Sequence, residues 1–358
     1  MRMLWLDLFR GLAALVVMVY HFSIILGLPR IQFGYLAVDL FFVLSGIVLF
    51  GRYDAEIRSG MRALEFAWHR VRRLYPMMVI TVVFLLLRNA ARATSTFPVT
   101  PGTDTLSVLG LLTLLPLSHG TPFAFPADGN IWSLLAEFLS NAVWFAALRF
   151  WRHLLTPIFV ASSVAAVYFA WSHGSFDYGA NPGGQEVVRA LARALAGFGI
   201  GCWIARRRPL SDTPPLLPLA MLVLACAACQ IPWTRGLLSE LIVILSGAAL
   251  LSTLMHRSPK SAWAGKLFGY LGMLSFPLYL IHPACKGFVV MAVAHGMNNV
   301  VAVIVIPLGV AIGATFVNEA IVRRLPSQLT RKASPAVTTQ LDKPSAPASR
   351  AAASEGFD

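Results

Sequence analysis

Long apolar runs, each closed by a short polar stretch, set the rhythm of this chain. A helix needs about 20 apolar residues to cross a bilayer. Ten runs approach that length, near residues 5–28, 34–51, 74–91, 131–150, 154–171, 187–205, 215–231, 236–255, 267–283 and 299–322. The runs are continuous rather than alternating with period two, which excludes a β-barrel. They predict helices, because hydrocarbon offers a backbone amide no partner outside its own segment. A shorter run, Leu106–Leu117, is interrupted at Pro116 and reads as a re-entrant or interfacial segment. The pattern therefore predicts an all-α, polytopic integral membrane bundle of about ten transmembrane helices, forming one domain over residues 1–325. Residues 326–358 are rich in Ala, Ser and Pro and nearly lack large apolar side chains, so a disordered cytoplasmic tail is expected there.

Composition agrees with this reading. Of 358 residues, 57% are hydrophobic and 13% charged, and the mean hydropathy is +0.69. A soluble domain is nearer half apolar and a quarter charged. The net charge of +13 would suggest nucleic acid in a soluble protein. In a membrane protein it reflects cationic cytoplasmic loops and contact with anionic lipid, and no nucleic-acid partner is expected. With the N-terminus inside, the inner loops carry Arg52, Arg58, Arg62, Arg70, Arg72, Arg73, Arg149, Arg152, Arg206, Arg207, Arg208, Arg257, Lys260 and Lys266. The outer loops and ends carry far fewer cations, among them Arg30, Arg88, Arg92, Arg235 and Lys286. This asymmetry places both termini in the cytoplasm. The spacing Cys226-x-x-Cys229 lies in an apolar run without polar neighbours and reads as small core residues, with no metal site expected.

Charges inside the spans are the candidate chemistry, because an ionisable group in the bilayer is costly and ordinarily faces an interior cavity. In LDLFRGLAALVVMVYHF, Arg10 and His21 are eleven residues apart. That is almost three helical turns, so both lie on one face about 16 Å apart along the axis. Asp7 is three residues before Arg10 and in reach of it. Asp39 in the second span and Glu137 in the fourth sit at a depth similar to that of His21, about 8–11 Å below the outer surface. Either carboxylate is a candidate to orient the imidazole as a base, and either has the alternative of pairing with a backbone amide or an arginine. His282, near the outer end of the ninth span, either lines an entrance for a substrate or packs at the interface. In HRVRRLYP, Arg70 and Arg73 share one side of a helical turn beside Arg72. Clustered guanidinium groups suit a phosphate-bearing ligand, although inner-loop charge alone accounts for any two of them.

Taken together and in order, these segments resemble the acyltransferase-3 family of integral membrane acyltransferases. The resemblance rests on the R-x10-H spacing of LDLFRGLAALVVMVYHF, on FGYLAVDLFFVLSGIVLF, on RVRRLYP, on NIWSLLAEF and on LGMLSFPLYLIHP. It runs from about Leu4 to Leu325 and departs at Phe276, where a tyrosine is common. It implies an O-acyltransferase of the bacterial inner membrane. The enzyme would move an acyl group, commonly acetyl from acetyl-CoA, to a hydroxyl of an envelope saccharide or glycolipid. It implies His21 as the essential histidine and Arg10 as its partner. Arg70 and Arg73 follow as the pair associated with the acyl-CoA donor, and Glu137 as the family's helix glutamate. The donor is then a co-substrate, with no permanently bound cofactor. Direct attack by the acceptor and an acyl-histidine intermediate both remain open at this stage. A secondary transporter of an envelope glycan precursor or anionic metabolite is the alternative from another class. Transporters of that kind show two related halves, whereas here the buried polar residues concentrate in the first four spans.

Overall fold

The computed structural model describes residues 3–29, 31–93, 105–117, 125, 128–181, 183–207, 215–259 and 261–326. Among them lie the helices α1 (Leu4–Ile25), α2 (Ala37–Arg58), α3 (Ala63–Ala93), α4 (Thr105–Thr113), α5 (Ile131–Phe150), α6 (Leu155–His173), α7 (Gly184–Arg206), α8 (Leu216–Gln230), α9 (Leu237–Leu254), α10 (Ala262–Ile281), α11 (Lys286–Ala294) and α12 (Asn299–Arg324). No strand occurs among the described residues. Every apolar run expected to span is a helix or part of one. Among the described residues, eight segments are long and apolar enough to cross a membrane, one of them joining α10 to α11 through a 3₁₀ turn at His282–Cys285. The protein is an all-α, multi-pass membrane bundle. The tail expected from 326 lies, beyond Pro326, outside the described residues, as do Arg30, His119 and Lys260.

Two helices depart from the expected lengths. Helix α8 has 15 residues, about 22 Å of rise against a hydrocarbon core of about 30 Å. Helix α3 is longer than its apolar run: it begins at Ala63, so Arg70, Arg72 and Arg73 ride on the same helix as that run. Pro76 sits inside it, and the missing N–H there leaves the Arg72 carbonyl without its helical partner. The 31 residues of α3 rise about 46 Å, which leaves its basic first third at the membrane surface. The segment expected to be re-entrant contains α4, a nine-residue helix.

Close pairing organises the bundle. Helix α1 lies along α10, α2 along α7, α8 against α9, and α12 against α10 and α3. Lipid is as apolar as a leucine side chain, so helices associate through backbone proximity and van der Waals contact rather than through water exclusion. A Cβ on Gly46 of α2 would run into the Phe198 carbonyl, and a Cβ on Gly201 of α7 into that of Val43. In the α1–α10 pair, a Cβ on Gly272 would stand 2.5 Å from that of Asp7. Asp7, Arg10 and His21 lie on one side of α1, and seating Asp7 on α10 turns that side toward the bundle interior. The outer end of α10 is thereby brought to His21.

Candidate active site

Helix α1 delivers His21, and the end of α10 delivers His282. Their rings stack with centroids 5.2 Å apart and planes 25° from parallel, and His21 Nδ1 lies 2.9 Å from His282 Nε2. His282 is completely buried, and its Nδ1 lies 2.9 Å from the Leu278 carbonyl oxygen. A carbonyl only accepts, so this bond assigns the proton of neutral His282 to Nδ1 and leaves a lone pair on Nε2. His21 then donates from Nδ1 into that lone pair. The consequence is chemical: His21 Nε2 carries the free lone pair, and it makes no hydrogen bond among the described residues. The Asn130 amide nitrogen secures the same corner, donating to the Tyr279 carbonyl at 2.8 Å and lying 3.5 Å from His282 Nε2.

The sequence named two carboxylates as candidates to orient this imidazole; the structure gives the task to neither. Asp39 is held by Arg193, whose Nε and Nη2 each donate to one carboxylate oxygen at 2.7 Å. Two more guanidinium hydrogens go to the Tyr178 and Tyr35 carbonyls at 3.0 Å, and the Trp132 ring covers the cation at 5.4 Å. Bidentate geometry consumes both oxygens, so Asp39 ties α2 to α7 and leaves nothing for His21. Glu137 instead accepts from Ser45 Oγ at 2.8 Å and faces a cleft. His282, read from the sequence only as an entrance or a packing residue, is the partner of His21. Its signal was the family-like YLIHP segment, and periodicity held no sign of the pairing.

The cleft encloses about 720 Å³, its open mouth included, between α1, α2, α3, α5 and α10. Its wall on α2 runs from Val38 to Leu49, eleven positions farther along, about 16 Å of helix. Arg10 and Arg73 line it together with Ser45, Glu137 and Ser275. Arg70 lies beside them, only 3% exposed, with its Nε unpartnered. The three guanidinium groups are within electrostatic reach of one another and of Glu137. None of the three forms an ion pair or hydrogen bond among the described residues. Arg70 is buried, Arg10 half-buried and Arg73 exposed; a buried cation left unpaired is costly, so this end of the cleft suits an anion. Arg72 points away, donating to the Val322 carbonyl of α12 at 3.0 Å.

At the opposite end the cleft closes on Ser133 and Tyr279, whose hydroxyls are 2.6 Å apart. Ser133 gives its own proton to the Asn130 carbonyl at 2.9 Å, so Tyr279 is the donor between them. Phe276 lines the wall without a hydroxyl. The Tyr279 ring packs edge-on against His282 at 6.3 Å, and the two-histidine pair lies one turn farther out. His21 is therefore not a lining residue of the cleft. Of the α1 face that Arg10 and His21 share, only Arg10 lines the cleft, and the cleft stops at Tyr279, a side chain short of the base. Outside the spans, Asp128 is buried and accepts the Asn130 N–H on Oδ1 at 2.9 Å. Burial pushes its carboxyl up to about 7.

Comparison with known proteins bears on this site. A family model described as an acyltransferase domain matches residues 3–317, a stretch that contains every residue of the cleft and the histidine pair. A curated relative, "Protein 2 in picA locus" of Rhizobium radiobacter, is 30% identical over 159 residues, covering 40% of this chain and 81% of its own length. No solved structure matches.

Proposed function

The chain belongs to the acyltransferase-3 family, and from that membership we propose that it is an O-acyltransferase of the bacterial inner membrane. The acyl group, acetyl in the simplest case, comes from a coenzyme A thioester made in the cytoplasm. The acceptor is a hydroxyl of an extracytoplasmic or lipid-linked saccharide. The observation that carries the reading is the cleft, with three unpaired guanidinium groups at its inner end and a base with a free lone pair just past its outer end.

The donor's phosphates rest on Arg70, Arg73 and Arg10, and its thiol arm lies along the cleft toward Tyr279. Movement of the Tyr279 side chain opens the last step to His21. Neutral His21 takes the acceptor hydroxyl proton on Nε2, the oxygen attacks the thioester carbonyl, and the C–S bond breaks. The imidazolium returns its proton to the departing thiolate, so the imidazole ends as it began. His282 keeps the ring in the productive tautomer, with Glu137 counterbalancing the arginines rather than touching the base.

Labelled acetyl-CoA supplied to the cytoplasmic face of membrane vesicles tests the activity. Covalent label on envelope saccharide is expected with the wild-type protein and not with vesicles lacking it; the absence of label in both ends the proposal. Arg70→Ala is expected to raise the donor KM about tenfold or more, the loss of one charge-assisted contact, with acceptor KM unchanged. The more exposed Arg73 should lose less. An unaltered donor KM in both variants would return them to ordinary inner-surface charge. His282→Leu is expected to lower kcat about 10²-fold. Fixing a base's tautomer is worth up to about 10⁴ where the partner is charged, and His282 is neutral. His282→Gln, whose Oε1 accepts from His21 Nδ1, should recover part of that loss. Equal activity of the leucine and glutamine variants would contradict the tautomer assignment.

A further inference from the structure

Helix α5 carries a third polar residue in line with two that line the cleft. Ser133 and Glu137 both line it, and Asn141 follows one turn farther in, on the same side of the helix. Asn141 is 1% exposed, and neither its amide nitrogen nor its amide oxygen has a hydrogen-bond partner among the described residues. Two orphaned polar atoms on one buried side chain are rare and costly, and each asks for an occupant. The depth of the cleft says where that occupant lies. Ser45 of α2 bonds Glu137 of α5, and in the multi-pass reading both helices run from the outer side inward. One turn farther in on each gives Leu49 and Asn141 at a common level. Leu49 lines the cleft and Asn141 does not, so the cleft reaches the depth of Asn141, and a turn of the Asn141 side chain is what brings its amide to the occupant. The unpartnered Arg70 Nε belongs to the same inner region.

An open donor and an open acceptor on one planar group match another amide, which presents the complementary pair. We infer that Asn141 is a donor-binding residue that hydrogen-bonds an amide of the ligand's thiol-bearing arm, the pantetheine portion of a coenzyme A. This inference rests on the donor reading of the cleft and adds to it a contact made to the arm rather than to the phosphates. An aspartate or leucine at this position would lack one or both halves of the match.

Two probes separate the arm from the nucleotide: coenzyme A, and 3′-phospho-ADP, which has the same phosphates and no arm amides. Binding of each to the purified protein in lipid nanodiscs is measured for wild type and for Asn141→Leu, with Asn141→Ala as the second variant should leucine not be accommodated. The expected result is about a tenfold loss of coenzyme A affinity, the size of one amide hydrogen bond left unmade. Binding of 3′-phospho-ADP should stay within about twofold, which also reports an intact fold. Unchanged coenzyme A affinity in the variants would mean that the amide is satisfied by water. An equal loss for both probes would mean that the substitution disturbs the arginine end; either result overturns the inference. A wild-type protein that binds neither probe overturns the donor reading itself, a distinct outcome.

Discussion

His21→Ala is expected to abolish measurable acyl transfer while the protein remains folded. A positioned general base contributes about 10²–10⁴ in rate, and no other side chain near His21 replaces it. His282 uses its Nδ1 on the Leu278 carbonyl and its Nε2 on His21, and Asp39 and Glu137 are engaged elsewhere. The expectation of an intact fold also follows from the structure. His21 contributes a hydrogen bond to one side chain and sits at the margin of the core rather than within it, since the large buried residues of α1 are Leu6, Met18 and Phe22. The measurement is label incorporation from acetyl-CoA, paired with the thermal midpoint and gel-filtration profile of the purified variant. Transfer at the wild-type rate would remove His21 from the chemistry. A variant that aggregates would instead make the histidine a structural residue, and His21→Gln, which keeps the size and a donor toward His282, distinguishes the two.

Arg193→Met is expected to destabilise the protein more than any substitution in the cleft. Removing one member of a fully buried ion pair strands the other, at a cost of about 3–5 kcal/mol. Here the guanidinium also holds two backbone carbonyls, those of Tyr178 and Tyr35. Asp39→Ala should be nearly as severe, because it leaves the same cation buried against Trp132. The paired substitution Asp39→Leu with Arg193→Met should recover much of the loss, since two apolar side chains leave no charge stranded. Thermal unfolding in detergent or nanodiscs reads all three. If Asp39→Ala unfolds like wild type yet loses transfer, Asp39 belongs to the reaction after all, and its role as a clasp between α2 and α7 is wrong.

These two residues show the difference between what lies along a chain and what lies across it. The sequence placed Arg10 and His21 on one face of α1 because helical period is local, and the structure keeps them there. It located the apolar runs because crossing length is likewise a property of consecutive residues. Depth along a span was also legible, and it suggested that His21, Asp39 and Glu137 meet. Equal depth fixes one coordinate only. Which helix stands beside which depends on small residues such as Gly46, Gly201 and Gly272 that let particular backbones touch. Those contacts turned Asp39 toward Arg193, 154 residues away, and His21 toward His282, 261 residues away.

By itself, then, the amino-acid sequence determined the all-α membrane bundle, the order of its spans, the run of arginines at the start of α3 and the shared face of Arg10 and His21. Each of these is set by composition or by the 3.6-residue period, and neither needs a partner to be read. Only the tertiary structure decided that His21 is oriented by a second imidazole, that Arg72 leaves the cluster for α12, and that the buried Asn141 amide has no partner among the described residues. The reason is that a hydrogen bond is made at about 3 Å, while sequence pattern constrains a helix's neighbours only to the width of the bundle.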